Sequence, residues 1–234
     1  MHLDSCIYLL THRIGTVTAM TREPPHTNFS DINTSEMSAP SIPLSDVLFT
    51  VVDTETTGFY ADSNRVLQLG AVIVSGDGII HSQFETIVKP ECPEQYEHDA
   101  EHIHGISAAQ VRDGTPLRVA LEQLLEFGAH HIFVAHNAPF DIGFLMAEAQ
   151  RVGLVEPYSQ WLSRSLDTVR LSRLIDHDSE RSHKLGTLCE HYGVDPGRSH
   201  DALSDAIAAA LLLPKILGDL HIENVDQLDA VLLS

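Results

Sequence analysis

The order of the apolar segments limits the fold more than any other feature of this sequence. Two runs of apolar and β-branched residues, VLFTVVD (47–53) and VLQLGAVIVS (66–75), have the composition of buried strands. A Gly-Asp-Gly tripeptide at 76–78 favours a tight hairpin, which leads into a third strand over 79–89. Helical and strand patterns alternate after that point. This order predicts an α/β fold, in which helices pack on both faces of a mixed sheet.

The later segments are assigned from the spacing of apolar residues and from the glycines and prolines that end them. Thr115 and Pro116 have the order of a helix cap followed by a first-turn proline, and Gly128 ends that helix. Strands are predicted over 131–136 and 165–168, which brings the expected number of strands to five. Further helices are predicted over 139–151, 168–176, 184–192, 201–213 and 224–232.

Composition restricts the kinds of partner that this chain can bind. The formal net charge is −19, because 33 acidic residues face only 14 lysines and arginines. A general basic surface for nucleic acid is therefore excluded, and any contact with a polyanion requires bound cations. The longest apolar run, at 206–213, is too short to span a membrane.

The chain divides into a polar N-terminal segment and a folded region. Residues 1–45 include a stretch rich in Pro, Ser, Thr and Asn, and we expect this segment to be disordered or to precede the true start. The folded domain is predicted over 46–234. The three cysteines, Cys6, Cys92 and Cys189, are far apart and form no CxxC pair. This pattern argues against disulfides and structural zinc and favours a reducing, cytoplasmic location.

Two acids stand at the end of the first predicted strand. Asp53 and Glu55 are two residues apart, so their side chains project from the same face. Two carboxylates this close repel each other unless a cation lies between them, and Mg²⁺ or Mn²⁺ prefers oxygen ligands. Taken alone, the pair is equally consistent with a strand cap and a carboxylate that points into water.

Further acids lie at two predicted helix starts. Asp141 falls in the first turn of a helix that directly follows a strand, where an acid is favoured by the helix dipole and where α/β proteins place sites. Asp201 and Asp205 share one face of a later helix. We interpret Asp201 as the helix cap. Asp205 and the preceding His200 are candidates for a site, with His200 kept neutral by the helix N-terminus.

Three motifs together resemble one enzyme family. DTETTG at 53–58, AHNAPFD at 135–141 and HDALSD at 200–205 resemble the DEDDh family of 3′→5′ exonucleases, and most of all its proofreading type, the epsilon subunit of bacterial DNA polymerase III. The resemblance spans about residues 46–213. It implies a ribonuclease H-like fold with a five-stranded mixed sheet. It also implies that His200 is the general base and that two Mg²⁺ or Mn²⁺ ions are held by four acids, Asp53, Glu55, Asp141 and Asp205.

Substrate contacts are expected around these acids. The resemblance implies that the backbone of Thr56, Thr57 and Gly58 approaches the terminal sugar of the substrate and that His104 lies near its terminal nucleotides. Phe59 either stacks on a base or packs in the protein. Asn137 is either a helix cap or a substrate contact.

The activity implied by the resemblance is metal-dependent release of nucleoside 5′-monophosphates from single-stranded or frayed DNA 3′ ends, in proofreading or repair. Two alternatives remain open. One is an RNA 3′→5′ exonuclease of the oligoribonuclease or tRNA-trimming type, since only contacts to the 2′ position distinguish the substrates. The other is a non-catalytic nucleic-acid-binding module. A DNA polymerase or a sliding clamp is a further candidate partner, although only 29 residues follow Asp205.

Overall fold

A computed structural model of the protein describes residues 41–91, 100–176, 178 and 181–233. These residues all belong to a compact unit that spans Ala39–Ser234, and the other unit, Met1–Ser38, lies outside the described residues. The predicted disordered segment 1–45 is therefore described only from residue 41 onward. Within that part, a short 3₁₀ helix (Leu44–Asp46) buries Leu44 in the core, and Pro43 pairs with Asn224.

The described residues form one six-stranded mixed sheet in the order β4-β3-β2-β1-β5-β6. Strand β2 runs antiparallel to β1 and β3, whereas β1, β5 and β6 are parallel to one another. The carboxyl ends of β1, β5 and β6 therefore meet at one edge of the sheet. The strands are β1 (Leu48–Thr56), β2 (Val66–Ser75), β3 (Ile80–Lys89), β4 (Thr115–Pro116), β5 (Ile132–Ala135) and β6 (Ser165–Asp167).

The predicted mixed sheet is confirmed, but the expected count of five strands omitted β4. Thr115 and Pro116 pair in parallel with Val88 and Lys89 at the end of β3 instead of both entering the next helix. The hydroxyl groups of Thr86 and Thr115 lie 2.8 Å apart and join the two strands. A Thr-Pro pair is compatible with this short edge strand because an edge does not require the missing proline N–H.

The helices agree with the prediction over most of the chain. The helices Glu101–His104, Ala108–Asp113 and Val155–Leu162 were not predicted, and the helix predicted over 201–213 continues through Pro214 to Asp219. No helix in the described ranges is both long enough and apolar enough to cross a bilayer. The helices are α1 (Glu101–His104), α2 (Ala108–Asp113), α3 (Leu117–Gly128), α4 (Ala138–Val152), α5 (Val155–Leu162), α6 (Thr168–Ile175), α7 (Leu185–Tyr192), α8 (Ala202–Asp219) and α9 (Val225–Asp229).

Helices cover both faces of the sheet, as predicted. Alternate residues of β1 divide between two hydrophobic cores because strand side chains alternate in direction. Phe49 and Val51 pack in the core that contains α8, together with residues of α6 and α7. Val52 packs in the opposite core with residues of α3, α4 and α5. By the same alternation, Asp53 lies on the α8 side of the sheet.

Gly70 in the middle of β2 lets α8 approach the sheet closely. A Cβ atom at Gly70 would lie 2.2 Å from the carbonyl carbon of Ala202 and 2.4 Å from the backbone nitrogen of Leu203. Both contacts are with backbone, so a side chain at this position has no flexible neighbour to displace. Gly70 also pairs with Asp53 across β1 and β2. The first turn of α8 is consequently held beside the acids of β1.

We predict that Gly70→Ala destabilises the protein, because the new methyl group must push the first turn of α8 off the sheet. Overpacking of this kind costs about 1–3 kcal/mol. Gly218→Ala is a suitable control, since a Cβ at Gly218 in the same helix meets nothing within 4 Å. Thermal unfolding measures both variants. A Gly70→Ala protein as stable as the control would contradict the close contact.

Candidate active site

The carboxyl end of β1 places two acids beside α8. Asp53 and Glu55 are half-buried and share the face that packs on this helix. Opposite them on β2 stand Gly70, paired with Asp53, and Gln68, paired with Glu55. The two predicted acids therefore emerge from the sheet where the neighbouring strand offers a glycine and an amide.

Gln68 fixes the N-terminus of α8 on the sheet. Its Oε1 accepts a hydrogen bond from the Ala202 N–H at 3.2 Å, and its Nε2 donates to Asp201 Oδ1 at 3.3 Å. Asp201 also accepts hydrogen bonds from the backbone N–H and the hydroxyl of Ser204, at 3.2 Å and 2.7 Å. The interpretation of Asp201 as the helix cap is confirmed. Burial opposes its ionisation, but the bonds from Ser204 and Gln68 outweigh burial and lower the pKa of Asp201.

Asp205 lies one turn into α8 and orders the residue that precedes the helix. Its Oδ2 accepts a hydrogen bond from the His200 N–H at 3.0 Å. His200 has a left-handed backbone with φ 60°, and its side chain is exposed. One ligand atom from each of Glu55, His200 and Asp205 lies within 4.8 Å of the other two. Residues 150 positions apart in the chain are thus joined in one cluster of possible metal ligands.

Asp141 reaches this edge of the sheet from the first turn of α4. It is buried, and the hydroxyl of Thr54 donates a hydrogen bond to its Oδ1 at 2.9 Å. Burial raises the pKa of Asp141 to about 7, although the hydrogen bond from Thr54 opposes this shift. Since Thr54 lies between Asp53 and Glu55 in β1, this bond ties α4 to the strand that carries the first two acids.

The four acids act on one another electrostatically. Burial and then the charges of Asp141 and Asp205 raise the pKa of Asp53 well above its usual range. Burial and the charge of Asp205 raise the pKa of Glu55 to about 7. Burial also raises the pKa of Asp205, which the nearby His200 partly offsets. Such mutual repulsion shows that the predicted acids converge, and oxygen ligands in this arrangement suit hard divalent cations.

The loop after β1 presents two aromatic rings to solvent. Phe59 is 79% exposed and Tyr60 is 72% exposed, so neither packs in the core. Before them, Thr56 closes the loop by donating its hydroxyl proton to the carbonyl of Gly58 at 2.6 Å. Thr57 pairs with Arg65, whose N–H donates to the Thr57 hydroxyl at 3.0 Å. Packing of Phe59 in the core is therefore wrong.

A buried ion pair of α4 supports this loop from below. Arg151 and Glu148 are 3.3 Å apart, and the side chain of Glu148 is fully buried. Glu148 Oε1 accepts a hydrogen bond from the Val66 N–H at 3.1 Å, where the loop enters β2. Arg151 donates to the carbonyl oxygen of Ala61 at 3.0 Å, just after the aromatic rings. The ion pair therefore fixes both the tip and the end of the loop.

The remaining predicted residues, His104 and Asn137, take part in hydrogen bonds that involve backbone N–H groups. His104 is buried and its Nδ1 accepts a hydrogen bond from the Ile106 N–H at 3.0 Å. Asn137 occupies the N-cap position of α4 with a left-handed φ of 69°, but its side chain makes no capping bond and is exposed. Its N–H donates instead to Asp167 Oδ1 at 3.0 Å. Asp167 also caps α6 by accepting a hydrogen bond from the Val169 N–H.

Sequence reasoning missed several residues that build the site. Gln68 and Glu148 are polar residues inside largely apolar segments, and that contrast is the signal that could have identified them. Thr54 lies between the two acids of the DTETTG motif, where no such contrast marks it. Tyr60 follows Phe59 in a turn-rich segment, and nothing in the sequence indicates that both rings are exposed.

Solved nuclease structures share this fold at low sequence identity. The nuclease domain of 3′hExo, a DEDDh family member bound to rAMP, aligns with a TM-score of 0.63 and 17% identity over 74% of this chain and 92% of that one. Escherichia coli exonuclease I in complex with a dT13 oligonucleotide also gives a TM-score of 0.63 and 17% identity, over 73% of this chain and 41% of that one.

Sequence comparison gives closer relatives. PolC-type DNA polymerase III from Caldanaerobacter subterraneus is 33% identical over 188 residues, which cover 79% of this chain and 13% of that protein. The corresponding enzyme from Streptococcus suis is 34% identical over 196 residues, covering 82% and 13%. This chain thus spans about an eighth of the length of these polymerases.

A family comparison agrees with the geometry and the relatives. The RNase_T model, described as an exonuclease, matches residues 50–213, which include every acid of the site and His200. The match covers well over half of the chain. The protein therefore belongs to this exonuclease family, and it shares its fold with 3′hExo, a DEDDh family member.

Proposed function

We propose that this protein removes nucleotides from the 3′ ends of single-stranded or frayed DNA and releases nucleoside 5′-monophosphates, as a proofreading or repair exonuclease. The observation that carries the proposal is the convergence of Glu55, Asp205 and His200 within 4.8 Å, beside Asp53 and Asp141. A group of carboxylates with one histidine matches the requirements of phosphodiester hydrolysis, which needs cation ligands and a proton acceptor.

The donor set fits two Mg²⁺ or Mn²⁺ ions. All four acids offer oxygen atoms. Burial first, and then neighbouring carboxylate charges, raise their pKa values, and bound cations would offset both effects. When bound, such ions polarise the phosphoryl oxygens and lower the pKa of a coordinated water. The residues that would hold them are Asp53, Glu55, Asp141 and Asp205.

His200 is the proposed general base. Its side chain is exposed, so it has access to water and to substrate, while the bond from its N–H to Asp205 Oδ2 fixes its backbone. The ring accepts the proton of the attacking water as the new P–O bond forms. The bond from phosphorus to the 3′ oxygen of the penultimate nucleotide then breaks, and that oxygen is protonated as it leaves.

The loop after β1 is the proposed site for the terminal nucleotides. The backbone of Thr56, Thr57 and Gly58 lies next to Glu55, and the exposed rings of Phe59 and Tyr60 can stack on bases of any sequence. Single-stranded DNA is the favoured substrate because a related fold, exonuclease I, has been solved with dT13, and because the closer relatives are DNA polymerases. His104 and Asn137 are proposed as further substrate contacts. The similarity to PolC-type enzymes also supports action beside a DNA polymerase.

RNA is the second candidate substrate. The DEDDh relative 3′hExo was solved with rAMP, a ribonucleotide, and its fold aligns over most of this chain. The proposed chemistry acts on phosphate and does not depend on the sugar. Only groups facing the 2′ position separate the two substrates.

We predict that the protein with Mg²⁺ or Mn²⁺ shortens a 5′-labelled DNA oligonucleotide from its 3′ end and releases mononucleotides. EDTA or Asp53→Asn should reduce the rate by at least about a hundredfold, since positioning of cations and water is lost. Rates on matched DNA and RNA strands, measured side by side, determine the preferred sugar. Activity that survives both EDTA and Asp53→Asn would contradict the proposal, and binding without cleavage would favour a non-catalytic module.

His200→Ala is expected to lower kcat by about 10²–10⁴-fold, the usual contribution of general base catalysis. Cation binding should persist, because all four carboxylates remain. Single-turnover rates measure the loss, and titration calorimetry with Mn²⁺ measures cation affinity. His191→Ala, in the exposed part of α7, is the matched control for a lost histidine. Full activity of His200→Ala would show that another group accepts the proton.

The raised pKa values of Glu55 and Asp141, caused first by burial and then by neighbouring carboxylate charges, predict a pH-dependent stability. Folded-state pKa values near 7 for Glu55 and Asp141 exceed their ordinary values of 4.5 and 3.8. The folded protein therefore binds these protons more tightly than the unfolded chain. The stability that protonated Glu55 and Asp141 contribute is fully present at pH values below their ordinary pKa values, and it is lost as pH rises through about 7.

Without divalent cations, Asp53→Asn should accordingly raise Tm near pH 8, by about 2–4 °C for a gain of about 1 kcal/mol. The gain should shrink near pH 5, where the neighbouring acids are protonated in the folded protein. Mn²⁺ should stabilise the wild-type protein more than the variant. Scanning calorimetry in EDTA and in Mn²⁺ checks both statements. Equal Tm values for the two proteins at pH 8 in EDTA would rule out the predicted repulsion.

A further inference from the structure

A basic groove lies next to the acidic site of this strongly acidic protein. It encloses about 680 Å³ and is lined by Arg173, Arg181 and Lys184, together with His136 and His183. The whole chain has only 14 lysines and arginines against 33 acids. Three of those 14 cations thus share one groove, although the average surface of this protein is negative.

None of the described residues that line the groove is an acid. Among the described residues, no ion pair to a carboxylate involves Arg173, Arg181 or Lys184. Arg173 and Lys184 are exposed, and Arg181 is half-buried. Within the described part of the chain, a ligand would therefore not have to displace a carboxylate from these three side chains.

Asp176, three residues after Arg173, is occupied in holding the loop before α7. Asp176 Oδ2 accepts a hydrogen bond from the Arg181 N–H at 2.9 Å and lies 3.6 Å from His183 Nε2. His183 Nδ1 is 2.9 Å from the hydroxyl of Ser172 in α6. These contacts use Asp176 to fix the backbone at Arg181 and the ring of His183. The side-chain charges of Arg181 and Lys184 are not consumed by this arrangement.

The groove opens at the same edge of the sheet as the catalytic acids. Two of its lining residues, His136 and Asn137, connect β5 to α4, and α4 carries Asp141 in its first turn. Strands β1 and β5 are adjacent and parallel, so their carboxyl ends lie side by side. A strand of nucleic acid that leaves the acids of β1 in this direction therefore meets the basic groove next.

We infer that this groove binds the phosphodiester backbone of the substrate strand upstream of the bond that is cleaved. The inference rests on the proposed function, because a 3′→5′ exonuclease has all nucleotides but the last on the upstream side. Charge complementarity selects a polyanion, and the arginine and lysine side chains recognise phosphate independently of base and sugar. The basic groove thus allows an acidic enzyme to bind long strands locally, although its overall charge would repel them.

The test compares substrates that differ in the number of upstream phosphates. The variant is Arg173→Gln combined with Lys184→Gln, and the control is Arg112→Gln combined with Lys215→Gln. Both control residues are exposed and lie outside the groove, and both proteins lose the same total charge. The readout is the ratio of kcat/KM on a strand of about ten nucleotides, within the range of single-strand site sizes, to kcat/KM on a dinucleotide.

We expect this ratio to fall on the order of tenfold in the groove variant and to stay within about twofold of wild type in the control. The slope of log(kcat/KM) against log salt on the long strand should become shallower by about 1.4, at about 0.7 for each phosphate of a single strand that the variant no longer neutralises. Matched DNA and RNA strands should both show the weaker cleavage, because the groove binds phosphate. An effect confined to one of them would indicate recognition of the sugar instead and would overturn the inference.

Binding is measured separately from catalysis, so that the two proposals can fail independently. Fluorescence anisotropy of a labelled strand, in the Asp53→Asn background that prevents cleavage, gives the affinity of each groove variant and control. If the wild-type protein cleaves nothing but the groove variant binds more weakly than the control, the proposed function is wrong and the groove still binds phosphate. If the groove variant and the control have equal affinities and equal salt slopes, the groove does not bind the strand.

Discussion

The contact between the N-terminus of α8 and strand β2 is the constraint on which the site depends. Gly70 removes the side chain that would separate the helix from the sheet, and Gln68 joins the two through bonds to Ala202 and Asp201. Without this approach, Asp205 would not reach Glu55. Strand β2 pairs with β1 along the acidic end of β1, where Gly70 is opposite Asp53 and Gln68 is opposite Glu55. These two residues of β2 therefore determine how closely α8 approaches the acids of β1.

The site concentrates the negative charge of four carboxylates, and the rest of the fold must offset the resulting loss of stability. Burial raises the pKa values of all four carboxylates, and the charges of the other acids add to the rise at Asp53 and Glu55. The hydrogen bond from Thr54 opposes the rise at Asp141 without cancelling it. The two cores on either side of the sheet provide the compensating stability, since Phe49, Val51 and Val52 of the same strand are completely or almost completely buried. A strand that is apolar along its length and acidic at its end therefore combines a folding element with a functional one. Strain of this kind at a site is common where function, not stability, has selected the residues.

Charge is distributed by role across this carboxyl edge. Acids face each other at β1, while cations without carboxylate partners among the described residues line the groove beyond β5. Exposed aromatic rings stand on the loop that the Glu148–Arg151 pair supports. This arrangement reconciles a net charge of −19 with the nucleic-acid substrate proposed above, since attraction is needed only along the path of the strand and not over the whole surface.

The sequence by itself determined the fold class, the membership of an exonuclease family and the candidate acids, because these follow from local patterns. Apolar runs of strand length, a hairpin tripeptide and three short motifs are readable without coordinates. It also identified Asp201 as a cap, since capping depends on neighbouring residues alone. It could not show the edge strand at Thr115, because strand pairing depends on a partner distant in the chain.

Only the tertiary structure decided which groups meet. Residues tens to more than a hundred positions apart come together in the cluster of Glu55 with Asp205, in the bond from Thr54 to Asp141 and in the basic groove. The exposure of Phe59 likewise depends on the tertiary structure. No local pattern encodes such distances, because they arise from the packing of helices on a sheet whose register is set by the whole core.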